Sequence, residues 1–205
     1  MLVKEKYYRL NLFKKIFLIT FLIINFFIKD SFPLDNQARI NSIEKIKESL
    51  IETNSLSFFF EQKINDKIEL GSCLIKYPKL MHCYYDNKAK KELISDGYTF
   101  AIYKKKYNKI YLYPLITVSL KHLLDKDFIL KELSYMRTMK MTDKIIEYEI
   151  YNKKQKFIVI FDSKTFEISG WKTIDIFQND VEFIIYNVKK NIVIEKDEFK
   201  IPRLN

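Results

Sequence analysis

A succession of strand-length runs rich in Ile, Leu, Tyr and Phe, separated by connections of a few residues, constrains this chain more than anything else in it. After Thr53-Asn54-Ser55 the apolar period is two. Phe58, Phe60, Gln62 and Ile64 fall on one side of a strand, and Phe59, Glu61 and Lys63 on the other. Asn65-Asp66 makes a turn, and the runs Glu69–Lys76, Leu80–Tyr85, Lys91–Ser95, Thr99–Lys104 and Lys109–Tyr113 follow. Pro78, Asp86-Asn87, Asp96-Gly97 and Tyr107-Asn108 punctuate them. Parallel pairing needs crossovers of about a dozen residues, so these runs form an antiparallel meander. A second series runs through Tyr135–Met141, Lys144–Tyr151, Lys156–Asp162, Glu167–Asp175 and Val181–Lys189.

Two segments carry helical spacing. Ile40, Ile43, Ile46, Leu50 and Ile51 make a stripe ending near Glu52, and Asn41 and Glu44 are spaced as a capping box at its start. Between the two series of strands, Pro114 closes the first meander. Thr117–Leu133 then groups Leu120, Leu123, Leu124, Phe128, Leu130 and Leu133 around a break at Asp125-Lys126-Asp127, which predicts two short helices. The sum is an α+β arrangement: one long antiparallel sheet, a helix before it and a helical insert in its middle. Phe157–Phe161 and Val181–Val188 are apolar on both faces, so both sides of those strands should be covered. Helices packed into a concave face and a two-sheet sandwich satisfy that requirement equally well.

Residues 1–30 read as a signal peptide. Lys4, Lys6, Arg9, Lys14 and Lys15 precede an apolar stretch of 13 residues, Ile16–Ile28, broken by Thr20 and Asn25. A bilayer core needs about 20, so export is favoured over a membrane span. The small residues of a cleavage site are poorly represented in Ser31-Phe32-Pro33 and Gln37-Ala38, which leaves retention as an N-terminal anchor open. No cysteine follows the apolar run closely. The formal charge is +10, but residues 1–30 hold six of the Lys/Arg and two of the Asp/Glu, leaving +6 on 31–205. That excess is dispersed through a chain rich in Lys, Ile, Asn and Tyr, and no nucleic-acid partner is expected. Residues 31–205 are expected to form a single domain acting as a monomer.

Catalytic signatures are sparse. His82 lies between Met81 and Cys83 in a strand, His122 lies in the Leu-rich insert, and neither has a partner at metal-ligand spacing. With glycine only at 71, 97 and 170, there is no phosphate-cradling loop or nucleophile elbow. Asp125 with Asp127, and Glu195-Lys196-Asp197-Glu198, look like solvated turns. No catalytic residue, cofactor or metal is therefore assigned. In contrast, 16% of the residues are Phe, Tyr or Trp, which implies either a thick core or a lined cavity.

From Phe58 to Leu124 the chain resembles the outer-membrane lipoprotein carrier family, LolA. Phe60-x-Gln62 is similar to the family's opening strand, and Gly71, Ile75-Lys76, Pro78 and Tyr84 to its Gly…Lys-Arg-Pro hairpin. Ile94-Ser95-Asp96-Gly97 with Ile102-Tyr103 resembles its Asp-Gly turn and Tyr-bearing strand. Pro114-Leu115 and Ser119-Leu120-x-x-Leu123-Leu124 resemble its insert, and Asp175, Phe183, Asn191 and Phe199-x-x-Pro202 match more weakly. The resemblance implies a curved antiparallel sheet of about ten or eleven strands forming an incomplete β-barrel, its concave hydrophobic cavity covered by helices. It further implies a periplasmic carrier that takes the acyl chains of lipoproteins from an inner-membrane ABC transporter to the outer membrane or a receptor lipoprotein there. Family members place an arginine immediately before the hairpin proline to hold the lid. Here that position is Tyr77, one hydroxyl in place of five donors, so the lid contact is weaker or differently built.

If Tyr77-Pro78-Lys79 centres the hairpin, Ile75 faces Met81 and Cys73 faces Cys83 on one side of the sheet. Cross-strand Cβ atoms at about 4.5–5.5 Å make a disulfide there neither excluded nor required. That side corresponds to the concave face of the resembled fold. It adds Tyr85, Phe58, Phe60, Ile64 and Leu93, with Ile46, Leu50, Leu120, Leu123 and Leu124 from the helical elements, as the expected acyl-chain cavity. Three other readings remain open at this level: a related lipid-binding or lipoprotein-sensing protein with different cargo, a secreted hydrolase with dispersed catalytic residues, and a purely structural β-protein.

Overall fold

The computed structural model describes residues 33–135, 139–152, 155–174 and 179–203. Residues 1–30, read above as a signal peptide, and Asp175 lie outside the described residues, and Ile43–Asn205 belong to one compact unit. Its elements begin with α1 (Pro33–Glu52), followed by β1 (Ser55–Ile64), β2 (Lys67–Lys76), β3 (Leu80–Tyr85), β4 (Lys91–Asp96), β5 (Thr99–Lys104) and β6 (Lys109–Pro114). The insert comes next, with 3-10 turns at Leu115–Thr117 and Ser119–His122 and the helix α2 (Lys126–Ser134). Then follow β7 (Met139–Met141), β8 (Ile145–Asn152), β9 (Gln155–Asp162), β10 (Ile168–Ile174), β11 (Asp180–Lys190) and a 3-10 turn at Lys196–Phe199.

All eleven strands make one curved, unclosed antiparallel sheet in the order β6-β5-β4-β3-β2-β1-β11-β10-β9-β8-β7. Each meander pairs its neighbours in sequence, and the first strand pairs with the last to join them. A single sheet excludes the sandwich. Both faces of β11 are not covered as its composition suggests: Ile184 and Tyr186 are exposed, and Tyr186 stacks on exposed Phe59 with centroids 6.1 Å apart. The β2–β3 register pairs Ile75 with Met81 and Cys73 with Cys83, and the two cysteines form a disulfide. The Tyr77–Pro78 peptide is cis, and Lys79 completes the turn at φ 68°.

Two helical expectations need correction. α1 starts at Pro33, well before Asn41, because proline is pre-set for a first helical turn where no N–H is needed. Asn41 accordingly sits inside the helix, accepting a hydrogen bond from Gln37 Nε2 at 2.9 Å, and is not a cap. In the insert, the Leu120–Leu124 half is made of 3-10 turns and only the second half is α-helix. Asp125 produces the break by capping α2, its carboxylate accepting from the Phe128 N–H at 3.1 Å.

The concave face is built around a glycine. Gly71 pairs with Phe60 on one side and Tyr85 on the other, and a Cβ there would stand 2.1 Å from Tyr84 O and 2.5 Å from the Phe60 ring. The missing side chain lets the Phe60 ring lie across β2 and meet Tyr85 edge-on at 4.9 Å. On its other side Phe60 stacks on Phe183 at 4.4 Å, which stacks on Trp171 at 4.0 Å. Four rings thus run across β3, β1, β11 and β10, with geometry favourable beyond area burial alone. Gly71→Ala should lower the midpoint of urea unfolding by an amount corresponding to about 1–3 kcal/mol, since its Cβ meets backbone on one side and a packed ring on the other. Equilibrium urea titration with the m-value held constant checks this.

Candidate functional site

The concave face, α1 from Ile43 onward and the insert enclose one apolar interior. Ile46, Leu50, Phe58, Phe60, Ile75, Met81, Tyr85, Leu123 and Leu124 are buried in it together, with Leu93, Leu120 and Tyr77 packed on its margin. Ile64 is not part of this cluster; it is half-buried at the β1 end beside the Asn65-Asp66 turn. Sequence reasoning missed the far half of the interior, where Ile129 and Leu133 of α2 pack with Tyr148, Phe157, Trp171 and Phe183. The alternation Ile146, Tyr148, Ile150 in β8 carried the signal, but its buried face has no hairpin landmark to align it.

Around Leu50, Leu56, Tyr77, Ile168 and Val188 there is a cavity of about 10 Å³, room for at most one water. The larger depressions lie elsewhere. One of about 1230 Å³ runs between β3–β6 and Lys196–Arg203, and one of about 670 Å³ lies among Lys63, Asn65, Lys172 and Glu182. Within the interior Phe58, Phe60, Ile75 and Met81 are almost wholly buried, as close packing of apolar side chains demands.

Polar contacts tie the insert and the hairpin to their neighbours. The Lys79 N–H donates to Leu124 O at 2.9 Å, and Tyr77 N–H donates to Asn54 O at 2.9 Å. Lys126 Nζ donates to Thr53 O at 2.9 Å and Ile51 O at 3.2 Å, the unpaired carbonyl end of α1, and stands 5.8 Å from the Tyr77 ring centroid. The Tyr77 hydroxyl is buried without a hydrogen-bond partner, and burial pushes its pKa far up. Tyr77 therefore contributes an apolar ring to the margin of the interior and not a donor set, and Lys126 supplies the cation that ties the insert to the end of α1. At the opposite end, Lys91 Nζ lies 3.6 Å over the Tyr85 ring and 2.5 Å from Glu69. Burial raises the Glu69 pKa, but its bonds with Lys91 and Asn87 outweigh that and leave it lowered.

A second polar group sits on the outer face. His82 Nε2 lies 3.2 Å from Glu92, and its Nδ1 is 3.2 Å from the Glu198 carboxylate. Tyr84 stacks on His82 at 4.1 Å and donates to Glu198. Glu198 is thus not in a solvated turn: this network docks the C-terminal 3-10 turn onto β3. His122, by contrast, is buried against Phe128 at 4.4 Å and Phe157 at 6.5 Å. Among the described residues no group of three His, Cys, Asp or Glu could hold a metal, and no helix is long and apolar enough to cross a membrane.

Comparison with curated proteins gives no match. Among solved structures, a LolA superfamily protein from Nitrosomonas europaea is similar at 9% identity, covering 78% of this chain and 96% of that one, with a TM-score of 0.44. The Pseudomonas aeruginosa MucA/MucB complex is similar at 11% identity over 81% of this chain and 61% of that one, with a TM-score of 0.46. A DUF1329 family protein from Desulfovibrio piger gives 6% identity over 78% and 96%, with a TM-score of 0.45. The family model for the outer membrane lipoprotein carrier protein LolA matches residues 52–202, nearly all of the sheet, the insert and the C-terminal turn. The chain belongs to the LolA family.

Proposed function

We propose that this protein is a periplasmic, non-enzymatic carrier that takes up the acyl chains of lipoproteins beneath its insert and moves them from the inner to the outer membrane. The supporting observation is the construction of the interior: a continuous apolar face of one sheet, covered by 3-10 turns and a nine-residue helix that pack on it through Leu120, Leu123, Leu124, Ile129 and Leu133. Each acyl CH₂ taken from water is worth roughly 0.8 kcal/mol, so a chain of a dozen or more carbons can displace a lid of this kind. Loading then amounts to binding an open state better than the closed one. An inner-membrane ABC transporter is the expected donor, and the outer membrane or a receptor lipoprotein the acceptor. Ile46, Leu50, Phe58, Phe60, Ile75, Met81, Tyr85, Leu93, Leu120, Leu123 and Leu124 are the proposed acyl contacts, with Tyr77 at the lid.

His122 makes the lid sensitive to pH. Burial, then the nearby Lys121 charge, lowers its pKa below the ordinary imidazole value, against an opposing pull from Asp125. The lowered value means that the closed state binds a proton more weakly than the open one. The contribution of neutral His122 is therefore whole above pH about 6.5 and is lost progressively as pH falls below it.

The cargo reading is tested by expressing the protein with a triacylated lipoprotein and isolating a soluble one-to-one complex. Met81→Glu and Leu120→Glu should each abolish the complex, because a carboxylate in the interior must remain unpaired. His82→Ala should leave it intact, whereas loss of a hydrolytic rate in that variant would favour an enzyme. In a separate measurement, the amide protection of residues 117–133, taken as exchange rate relative to the intrinsic rate at each pH, should fall between pH 7.5 and 5.5 in the unmodified protein, and this fall should disappear in His122→Leu.

A further inference from the structure

The β6 edge of the sheet combines exposed apolar side chains with a local excess of positive charge. Residues 97–124 contain Lys104, Lys105, Lys106, Lys109 and Lys121 and no Asp or Glu. Among the described strands β6 pairs only with β5. Tyr111, Leu112 and Tyr113 on it are exposed, Tyr107 stands in the turn at one end, and Tyr98 and Ile116 stand at the other, 87% and 74% exposed. The last two are neighbours, since the Leu115 N–H donates to Tyr98 O at 2.8 Å. A six-residue strand spans about 20 Å, so these side chains form a ridge with lysines around its length.

Lysine on an edge strand discourages edge-to-edge pairing, which accounts for the charges but not for the exposed rings and aliphatic groups. A second copy would bring two such ridges together with no carboxylate between them. Tyrosine rings with polar tips, aliphatic groups and long-stemmed lysines are the set that the boundary of an anionic bilayer accommodates: rings at headgroup depth, amines at phosphate. Lys104 and Lys106 already lie over the rings of Tyr111 and Tyr107, at 5.5 and 5.9 Å, so ring and cation occupy the same end of the ridge. Among the described residues, Lys105 is the one of these lysines that reaches a carboxylate, Glu92 of β4 in the same sheet, at 3.4 Å.

We propose that the β6 edge is a docking surface for anionic lipid bilayers, which presents the protein to the membrane edge-on. This surface is distinct from the enclosed interior, and the proposal does not depend on the identity of the cargo.

The test uses the full chain and vesicles of phosphatidylcholine alone or with about one third phosphatidylglycerol, read by co-sedimentation. Binding should need the anionic lipid and weaken as salt is raised. Joint replacement Lys104→Glu, Lys106→Glu and Lys109→Glu should weaken partitioning by about tenfold or more. The control Lys140→Glu, Lys144→Glu and Lys164→Glu, with the same net charge change at the far end of the sheet, should alter it by less than about twofold. Tyr111→Trp adds an indole whose emission should shift to the blue with anionic vesicles, against the buried Trp171 background. Equal binding to neutral vesicles, or equal loss in both triple variants, would overturn the proposal. So would binding retained by the edge variant, an unshifted indole at position 111, or self-association through this edge without vesicles.

Discussion

A curved sheet that does not close into a barrel has a concave side too apolar for water and too wide to be filled from one strand. Here Phe60 begins to fill it by lying over Gly71, where any side chain would meet the Tyr84 carbonyl. Tyr85, Phe183 and Trp171 extend the row across the sheet. The β1–β11 pairing makes that row continuous, because it puts the first and last strands side by side and brings Phe183 and Trp171 to rings from the opposite end of the sequence. α1 and the insert then cover what remains.

That arrangement separates permanence from mobility. The sheet is held by backbone ladders and stapled by Cys73–Cys83. The insert is held by apolar contact, by the Lys79–Leu124 bond, by the cation of Lys126 at the α1 carbonyl end and by the hydroxyl of Tyr148, which donates to Glu132 O at 2.5 Å. Segments secured mainly by side-chain burial open at lower free energy than the ladders beneath them. The proposed carrier role would use this difference, since cargo would have to enter the interior beneath the insert and leave it again. Tyr77 fits the same scheme: its ring fills the hairpin end of the lid, and the polar tie has passed to a lysine on the insert itself.

The outer face has its own division. Glu198 and Tyr84 hold the C-terminal turn through His82, so two acids and a histidine that lack any motif have a structural task. The β6 ridge lies beyond this covered region and keeps its rings and lysines exposed. Burial inside and exposure at the edge thus arise from one composition, rich in Tyr, Lys and Ile, sorted by whether a residue faces the concavity or the open margin.

What the sequence determined by itself is local and periodic. Alternation identified the strands, short turns made them antiparallel, and Pro78 set the register that brings Cys73 to Cys83 and Ile75 to Met81, because a hairpin is fixed by its own few residues. Ile75, Met81 and Tyr85 of the proposed lining followed from that register, and the remainder from the resemblance and the helical stripes. The tertiary structure alone decided the rest: that the first strand pairs with the last, that α1 extends back to Pro33, that Ile64 falls outside the core, and that Glu198 is docked. Each depends on contacts between residues over a hundred positions apart or on neighbours that periodicity does not name. Whether the concave face stands open or closed is of the same kind, since apolar side chains specify that they avoid water and leave unsaid what they pack against.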